Sequence, residues 1–181
     1  MNRYFQKTLF PSLFPAAHPQ KQHEDIRVLV ADTNTHYARS VMAVFKTVFR
    51  RVTLAENGPE ILSKCANESF DLIVLDNRLP GMLGIEVARR LEQYYPEMRR
   101  ILTSEDDTDP VIDSALEYGM IHRFLKKPFS VYALLSEAEF LLGIGPEPLQ
   151  FDDEDLEEDT EEHLMDAFFE QQCFAFATAR K

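Results

Sequence analysis

Short apolar runs alternate with longer segments of helical periodicity from Ile26 onward. The apolar runs predict five strands, at residues 26–31, 51–55, 72–76, 99–103 and 121–125. The segments that follow them predict five helices, at residues 35–49, 58–67, 83–95, 109–118 and 130–142. Strict alternation of strand and helix is typical of a parallel sheet with helices on both faces. The pattern therefore predicts an α/β domain with a doubly wound, five-stranded parallel sheet.

The composition divides the chain into three parts. Residues 1–25 hold three of the ten prolines and have no clear period, so we expect a flexible N-terminal arm. Residues 26–145 hold 14 basic and 17 acidic side chains, a balance that suits a globular domain. Residues 146–181 hold 2 basic and 12 acidic side chains, which predicts an acidic linker. Apolar residues at helical spacing predict a helix from Thr160 to about Thr178.

The same features argue against several classes of protein. No basic surface is indicated, so direct nucleic-acid binding is not expected. No apolar run approaches the length of a membrane span, and Pro11 and Pro15 interrupt the apolar stretch that a signal peptide would need. Cys65 and Cys173 lie far apart and match no metal or redox spacing, so we expect two reduced thiols in a cytoplasmic protein.

Four polar side chains follow predicted strands and carry the candidate chemistry. Asp32, Asp76 and Thr103 each end or directly follow a strand, and Lys127 comes just after the last one. Open α/β sheets bind ligands at the carboxyl ends of their strands, so these side chains can converge. A carboxylate can accept a phosphoryl group, a second carboxylate can help to hold Mg²⁺, and lysine and threonine can bind phosphate oxygens.

In this arrangement the chain resembles the receiver domain of two-component response regulators over residues 26–143. The matching segments, in chain order, are 28–32 (VLVAD), 55–58 (AENG), 71–76 (DLIVLD), 79–81 (LPG) with Gly84, 101–103 (ILT) and 124–129 (FLKKPF). The resemblance implies a flavodoxin-like sheet with strand order 2-1-3-4-5. It also implies a cis peptide bond before Pro128.

The resemblance implies a role for each site residue. Asp76 would accept a phosphoryl group from a histidine kinase or a phosphotransfer protein. Asp32, Asp76 and the main-chain carbonyl of Arg78 would hold Mg²⁺, while Thr103 and Lys127 would bind the phosphate. Thr103 and Phe124 would form the switch, with the aromatic ring turning inward on phosphorylation. For Phe124, a plain core aromatic is an equally good interpretation.

The resemblance also implies how the protein would act. It would catalyse only its own phosphorylation and dephosphorylation, and so would not be a conventional enzyme. Its output would be binding to an unidentified downstream protein, with a possible homodimer through the last two helices and the last strand. The sequence departs from the family where the first strand usually ends in two adjacent acids, and we assign the missing acid to Ala31.

Two other classes of function remain open on the sequence. A pseudo-receiver would keep the fold as a constitutive protein-interaction module without phosphorylation, and Ala31 would mark a decayed metal site. A hydrolase of small phosphate esters would also use an aspartyl phosphate. Such enzymes want a second aspartate two residues after the nucleophile, and here that position is Arg78.

Overall fold

The computed structural model describes residues 25–145, which fold as alternating strands and helices. The strands are β1 Arg27–Ala31, β2 Arg51–Ala55, β3 Leu72–Asp76, β4 Arg99–Ser104 and β5 Arg123–Lys126. The helices are α1 Thr35–Phe45, α2 Gly58–Asn67, α3 Gly84–Tyr94, α4 Pro110–Glu117 and α5 Val131–Leu141. All five strands are parallel, in the order β2-β1-β3-β4-β5. The predicted fold class and strand order are confirmed.

The sheet is covered on both faces by apolar side chains. One cluster joins α2, α3 and α4 to one face, with Ile61, Val87 and Ala115 among its buried members. The other joins α1 and α5 to the opposite face through Phe45 and Leu134. Every residue of β3 is buried, as expected for a central strand with helices on both sides. This strand therefore holds its terminal Asp76 rigidly at the sheet edge.

Two elements differ from their predicted bounds by two residues or more at one end, and the others agree to within one residue at each end. Helix α1 ends at Phe45, four residues before the predicted end, because Thr47 and Val48 donate main-chain hydrogen bonds three residues back and tighten the chain into a turn. Strand β5 begins at Arg123, two residues later than predicted. Ile121 is buried but donates its main-chain hydrogen bond to Ala115 in α4, so its apolar character reflects burial in a connection.

An arginine is fully buried at the beginning of β4. The side chain of Arg100 donates hydrogen bonds to main-chain carbonyl oxygens of the two connections that flank this end of the sheet, at Tyr95, Pro96, Met98, Gly119 and Met120. Burial lowers its pKa to about 10. The guanidinium thus supplies hydrogen-bond donors to carbonyl oxygens in these two connections.

Several expectations concern parts of the chain outside the described residues. The predicted N-terminal arm at 1–25, apart from its last residue, and the predicted acidic linker and helix at 146–181 lie there, as does Cys173. Cys65 is a free, buried thiol on α2, and burial raises its pKa to about 11. Among residues 25–145, no helix is long and apolar enough to cross a membrane.

Candidate functional site

The carboxyl ends of β1 and β3 bring two buried aspartates to one edge of the sheet. Ala31 and Leu75 are partners in the parallel pairing of these strands, so Asp32 and Asp76 follow at the same level. Asp32 is 6% exposed and Asp76 is 5% exposed. Two carboxylates at this depth need compensation by a cation or by hydrogen-bond donors.

Lys127 supplies the cation. Its Nζ lies 2.7 Å from Asp32 Oδ2 and 3.2 Å from Asp76 Oδ1. Lys127 follows β5, and the peptide bond between it and Pro128 is cis, as the family resemblance implies. Burial by itself lowers the pKa of Lys127, but hydrogen bonding and attraction from the two carboxylates outweigh it and raise the pKa. The lysine is therefore held charged between the two acids.

Hydrogen bonds from the β1–α1 connection complete the surroundings of the two acids. The hydroxyl of Thr33 donates to Asp76 Oδ2 at 3.2 Å, and the main-chain N–H of Asn34 donates to Asp32 Oδ1 at 2.8 Å. Asn34 is also the N-cap of α1, where its side chain accepts from the main-chain N–H of Tyr37. The cap fixes where the connection turns, and so fixes both contacts.

The loop that follows Asp76 is packed closely against it. The main-chain N–H of Asn77 donates to Thr103, and its carbonyl oxygen accepts from Gly84. A Cβ atom at Gly84 would lie 2.4 Å from the Asp76 carbonyl oxygen, so only glycine allows this approach. The beginning of α3 is thereby set directly against the end of β3.

The family of the chain follows from its sequence once this geometry is in place. Residues 28–139 match the model of the response regulator receiver domain, and this range covers more than half of the chain. The chain belongs to the response regulator receiver family. The matched range contains both aspartates and the lysine that they share.

The chain is similar in sequence and in fold to known response regulators and receiver domains. The receiver is 30% identical over 109 residues to the uncharacterized transcriptional regulatory protein YkoG of Bacillus subtilis (strain 168), which covers 60% of this chain and 47% of YkoG. The chain thus spans about half the length of the curated relatives it matches. It also superimposes on the crystal structure of a CheY-like receiver domain protein from Methanospirillum hungatei JF-1, with a TM-score of 0.61, 25% identity, and coverage of 65% of this chain and 94% of the other.

A third structure is similar and carries ligands. It is the response regulator protein TrrA from Thermotoga maritima in complex with Mg²⁺-BeF, with a TM-score of 0.56 and 25% identity. The match covers 65% of this chain and 99% of TrrA. The magnesium and the fluoride complex belong to TrrA.

The other predicted site residues are Thr103, Phe124 and Arg78, and they differ in how deeply they are buried. Thr103 is a register partner of Asp76 and is buried, and its hydroxyl donates to the carbonyl oxygen of Leu75 at 3.3 Å. Phe124 lies on β5, half-buried against the core cluster that includes α4. Arg78 is exposed, and its guanidinium forms an ion pair with Glu105 at 3.0 Å. That pair joins the loops that follow β3 and β4.

The assignment of the missing acid to Ala31 is wrong on structural grounds. Ala31 is the last residue of β1, is 1% exposed, and packs within an apolar core cluster, where a carboxylate would have no place. Thr33 is the residue whose side chain reaches Asp76. We therefore infer that Asp32 corresponds to the first acid of the usual pair and that Thr33 occupies the position of the second.

Sequence reasoning also missed Tyr37, on the first turn of α1. Its ring lies near the Lys127 ammonium, and its hydroxyl is buried without a hydrogen-bond partner within residues 25–145. The signal that points to it is its spacing: it comes three residues after the capping Asn34, which places it over the loop that follows β1.

Proposed function

We propose that this protein is a phosphoacceptor switch of a two-component system, with Asp76 as the residue that is phosphorylated. The donor would be the phosphohistidine of a histidine kinase or a phosphotransfer protein. The protein would act in the cytoplasm, modify only itself, and pass the signal on by binding another protein.

One observation carries this proposal: Lys127 bridges the carboxylates of Asp32 and Asp76 at the carboxyl edge of the sheet. A cation that contacts the acceptor carboxylate can move to an oxygen of the phosphoryl group when that group arrives. At a phosphorylation site such a cation is useful, because it balances the charge of the carboxylates before transfer and that of the phosphoryl group afterwards. A purely structural domain gains little from two buried acids that share one lysine.

The donor atoms of the site fit Mg²⁺. This ion favours hard oxygen ligands, usually one or two carboxylates together with waters and phosphate oxygens. Asp32, Asp76 and the main-chain carbonyl of Arg78 would hold it. When bound, the ion would neutralise charge on the phosphoryl oxygens. Within residues 25–145 no group of three or more acidic, histidine or cysteine side chains forms a metal site, so the protein would depend on those few ligands.

The transfer itself would be an in-line displacement. A carboxylate oxygen of Asp76 attacks the phosphorus of the phosphohistidine, an O–P bond forms, and the P–N bond breaks. The leaving imidazole takes up a proton from solvent. Lys127 would follow the phosphoryl oxygens, and Thr103 would leave the carbonyl oxygen of Leu75 to donate to one of them.

The switch would then run from Thr103 to the face formed by α4, β5 and α5. Phe124 pairs in register with Leu102, the residue before Thr103. Movement of Thr103 on phosphorylation would change the space that is open to the ring of Phe124. We propose this face as the place of dimerisation or partner binding. Phosphorylation would add charge at the carboxyl ends of the strands and would thereby shift the α4–β5–α5 face between two arrangements.

A pseudo-receiver remains the second candidate, and the observation that favours it is Thr33. With a hydroxyl in place of the second acid, the site offers one fewer carboxylate to the metal than the usual pair. The fold would then act as a constitutive interaction module.

Phosphate-affinity gel electrophoresis separates the two candidates. The protein is incubated with acetyl phosphate and Mg²⁺ beside two controls, Asp76→Asn and a sample with EDTA. A mobility shift that disappears in both controls supports the phosphoacceptor. Absence of a shift, under conditions that modify another receiver, supports the pseudo-receiver. Turnover of a small phosphate ester would instead favour the hydrolase.

A further inference from the structure

Lys127 contacts an aromatic ring as well as two carboxylates. Its Nζ lies over the ring of Tyr37, 5.3 Å from the ring centroid. A cation at this distance is attracted to the electron-rich face of the ring. The ammonium is thus held from two directions, by hydrogen bonds to Asp32 and Asp76 and by the ring of Tyr37.

The ring of Tyr37 is itself fixed by packing. Phe129 meets it edge-on, with 6.0 Å between the centroids and an interplanar angle of 80°. Phe129 belongs to the same connection as Lys127, two residues later, so one short segment supplies both the cation and the ring that supports Tyr37. Edge-to-face pairs of this kind are favourable, so Phe129 stabilises the ring of Tyr37 in this position.

The hydroxyl of Tyr37 does not explain why the residue is there. It is buried and has no hydrogen-bond partner within the described part of the chain. The contacts that this side chain makes with Lys127 and Phe129 are made by its ring. Burial, with smaller effects from the charges of Asp32 and Asp76, raises the pKa of Tyr37, so the ring beside the lysine is that of a neutral phenol.

We propose that Tyr37 is a positioning residue for Lys127, whose ring holds the ammonium between the carboxylates of Asp32 and Asp76. This role rests on the proposed function. The ring of Tyr37 holds the lysine where the phosphoryl oxygens arrive, so that little reorganisation is needed during transfer. Tyr37 does not touch the reacting atoms. It acts through the lysine.

The first test needs no variant and no phosphorylation. In NMR spectra of the unaltered protein without Mg²⁺, the Cε protons of Lys127 are expected upfield of those of Lys126, with contacts to the Tyr37 ring protons. Lys126 is a suitable reference because its ammonium pairs with Asp107 in an exposed position. Cε protons of Lys127 at the ordinary lysine position, without ring contacts, would overturn the proposal.

The second test compares Tyr37→Phe with Tyr37→Leu. The ammonium signal of Lys127, identified by its loss in Lys127→Met, is expected to be visible and protected from exchange in the wild type and in Tyr37→Phe. It is expected to be lost in Tyr37→Leu. Equal protection in all three proteins, or loss in Tyr37→Phe as well, would show that the ring does not hold the lysine. If Tyr37→Leu fails to fold, Phe129→Leu provides the comparison, since it removes only the support of the ring.

The rate of phosphorylation by acetyl phosphate gives the functional readout. Tyr37→Leu is expected to slow it by about fivefold to tenfold, and Tyr37→Phe to change it less than about twofold. An unchanged rate in Tyr37→Leu would contradict positioning. If the wild type is not phosphorylated but its Lys127 signals behave as expected, the proposed function fails while the contact between Tyr37 and Lys127 stands.

Discussion

The ammonium of Lys127 lies 2.7 Å from Asp32 Oδ2, although the two residues are 95 positions apart in the chain. The contact joins the first strand of the sheet to the connection after the last strand. It also places a single cation beside two buried acids, because Asp76 Oδ1 is 3.2 Å from the same nitrogen.

Removing the lysine is expected to destabilise the fold. Lys127→Met leaves Asp32 and Asp76 as neighbouring buried charges without a cation, and we expect a loss of about 1–3 kcal/mol in the free energy of unfolding. Lys126→Met is the matched control. Its partner Asp107 is exposed, and surface pairs of this kind contribute about 0–1 kcal/mol. Urea denaturation measures both, and equal losses would mean that Lys127 is not compensating buried charge.

Restoring the second acid is expected to strengthen metal binding. Thr33→Asp places a third carboxylate next to Asp76, and we expect the affinity for Mg²⁺ to rise by about tenfold in isothermal titration calorimetry. Without Mg²⁺ the same variant should unfold at a lower temperature than the wild type, because three acids then share one lysine. Thr33→Val, which removes only the hydroxyl, is the control for loss of the hydrogen bond. An Ala31→Asp variant that bound Mg²⁺ more tightly than Thr33→Asp would contradict the placement of the missing acid.

Glycine at position 84 is expected to be required for the shape of the site. In Gly84→Ala the new methyl group meets the main chain of Asp76 and Asn77, which cannot move aside without displacing the end of β3. We expect a loss of about 2–3 kcal/mol, together with slower phosphorylation. Gly81→Ala is the comparison, because the space there is open but φ is +79°. It should cost about 1–2 kcal/mol through backbone strain and leave the phosphorylation rate unchanged.

A buried glutamate on α5 is expected to make stability depend on pH. Burial raises the pKa of Glu139, so the folded state binds the proton more tightly than the unfolded chain. The stabilisation is fully present below the unfolded pKa of about 4.3 and is lost as the pH rises through the folded pKa. Glu139→Gln should therefore melt ~2–5 °C above the wild type at pH 7, and this advantage should vanish near pH ~3.

Glu137→Gln, two residues earlier, is the control for this experiment. Glu137 accepts from Arg123 Nε at 2.8 Å, so its substitution removes an ion pair and should lower the melting temperature at pH 7. A Glu139→Gln variant that is less stable than the wild type at pH 7 would show that the carboxylate has a favourable role in its ionised form.

The strands and helices could be predicted well because their signals are local. Buried runs such as Leu72–Leu75 and capping residues such as Asn57, Asp109 and Ser130 mark where elements begin, and these marks depend on near neighbours. The predicted bounds were wrong where apolar residues are buried in connections and not within a strand or helix. Ile121 is apolar because it fills a connection. Helix α1 ends in a tight turn at Thr47 and Val48, and the apolar Phe49 that extended the predicted helix is fully buried after that turn.

The sequence by itself determined that Asp32, Asp76 and Lys127 belong to one edge of a parallel sheet, because each follows a strand and all the strands run in the same direction. Only the tertiary structure decided which side chain stands beside Asp76 and which ring holds Lys127. Ala31 is still inside β1 and packs in the core, whereas Thr33 lies beyond the end of the strand, in the connection whose side chains face the site. The position where the strand stops depends on its pairing with the neighbouring strands, which the sequence marks only to within a residue or two. The contact of Tyr37 with Lys127 likewise exists only once α1 and the connection after β5 are brought together by folding.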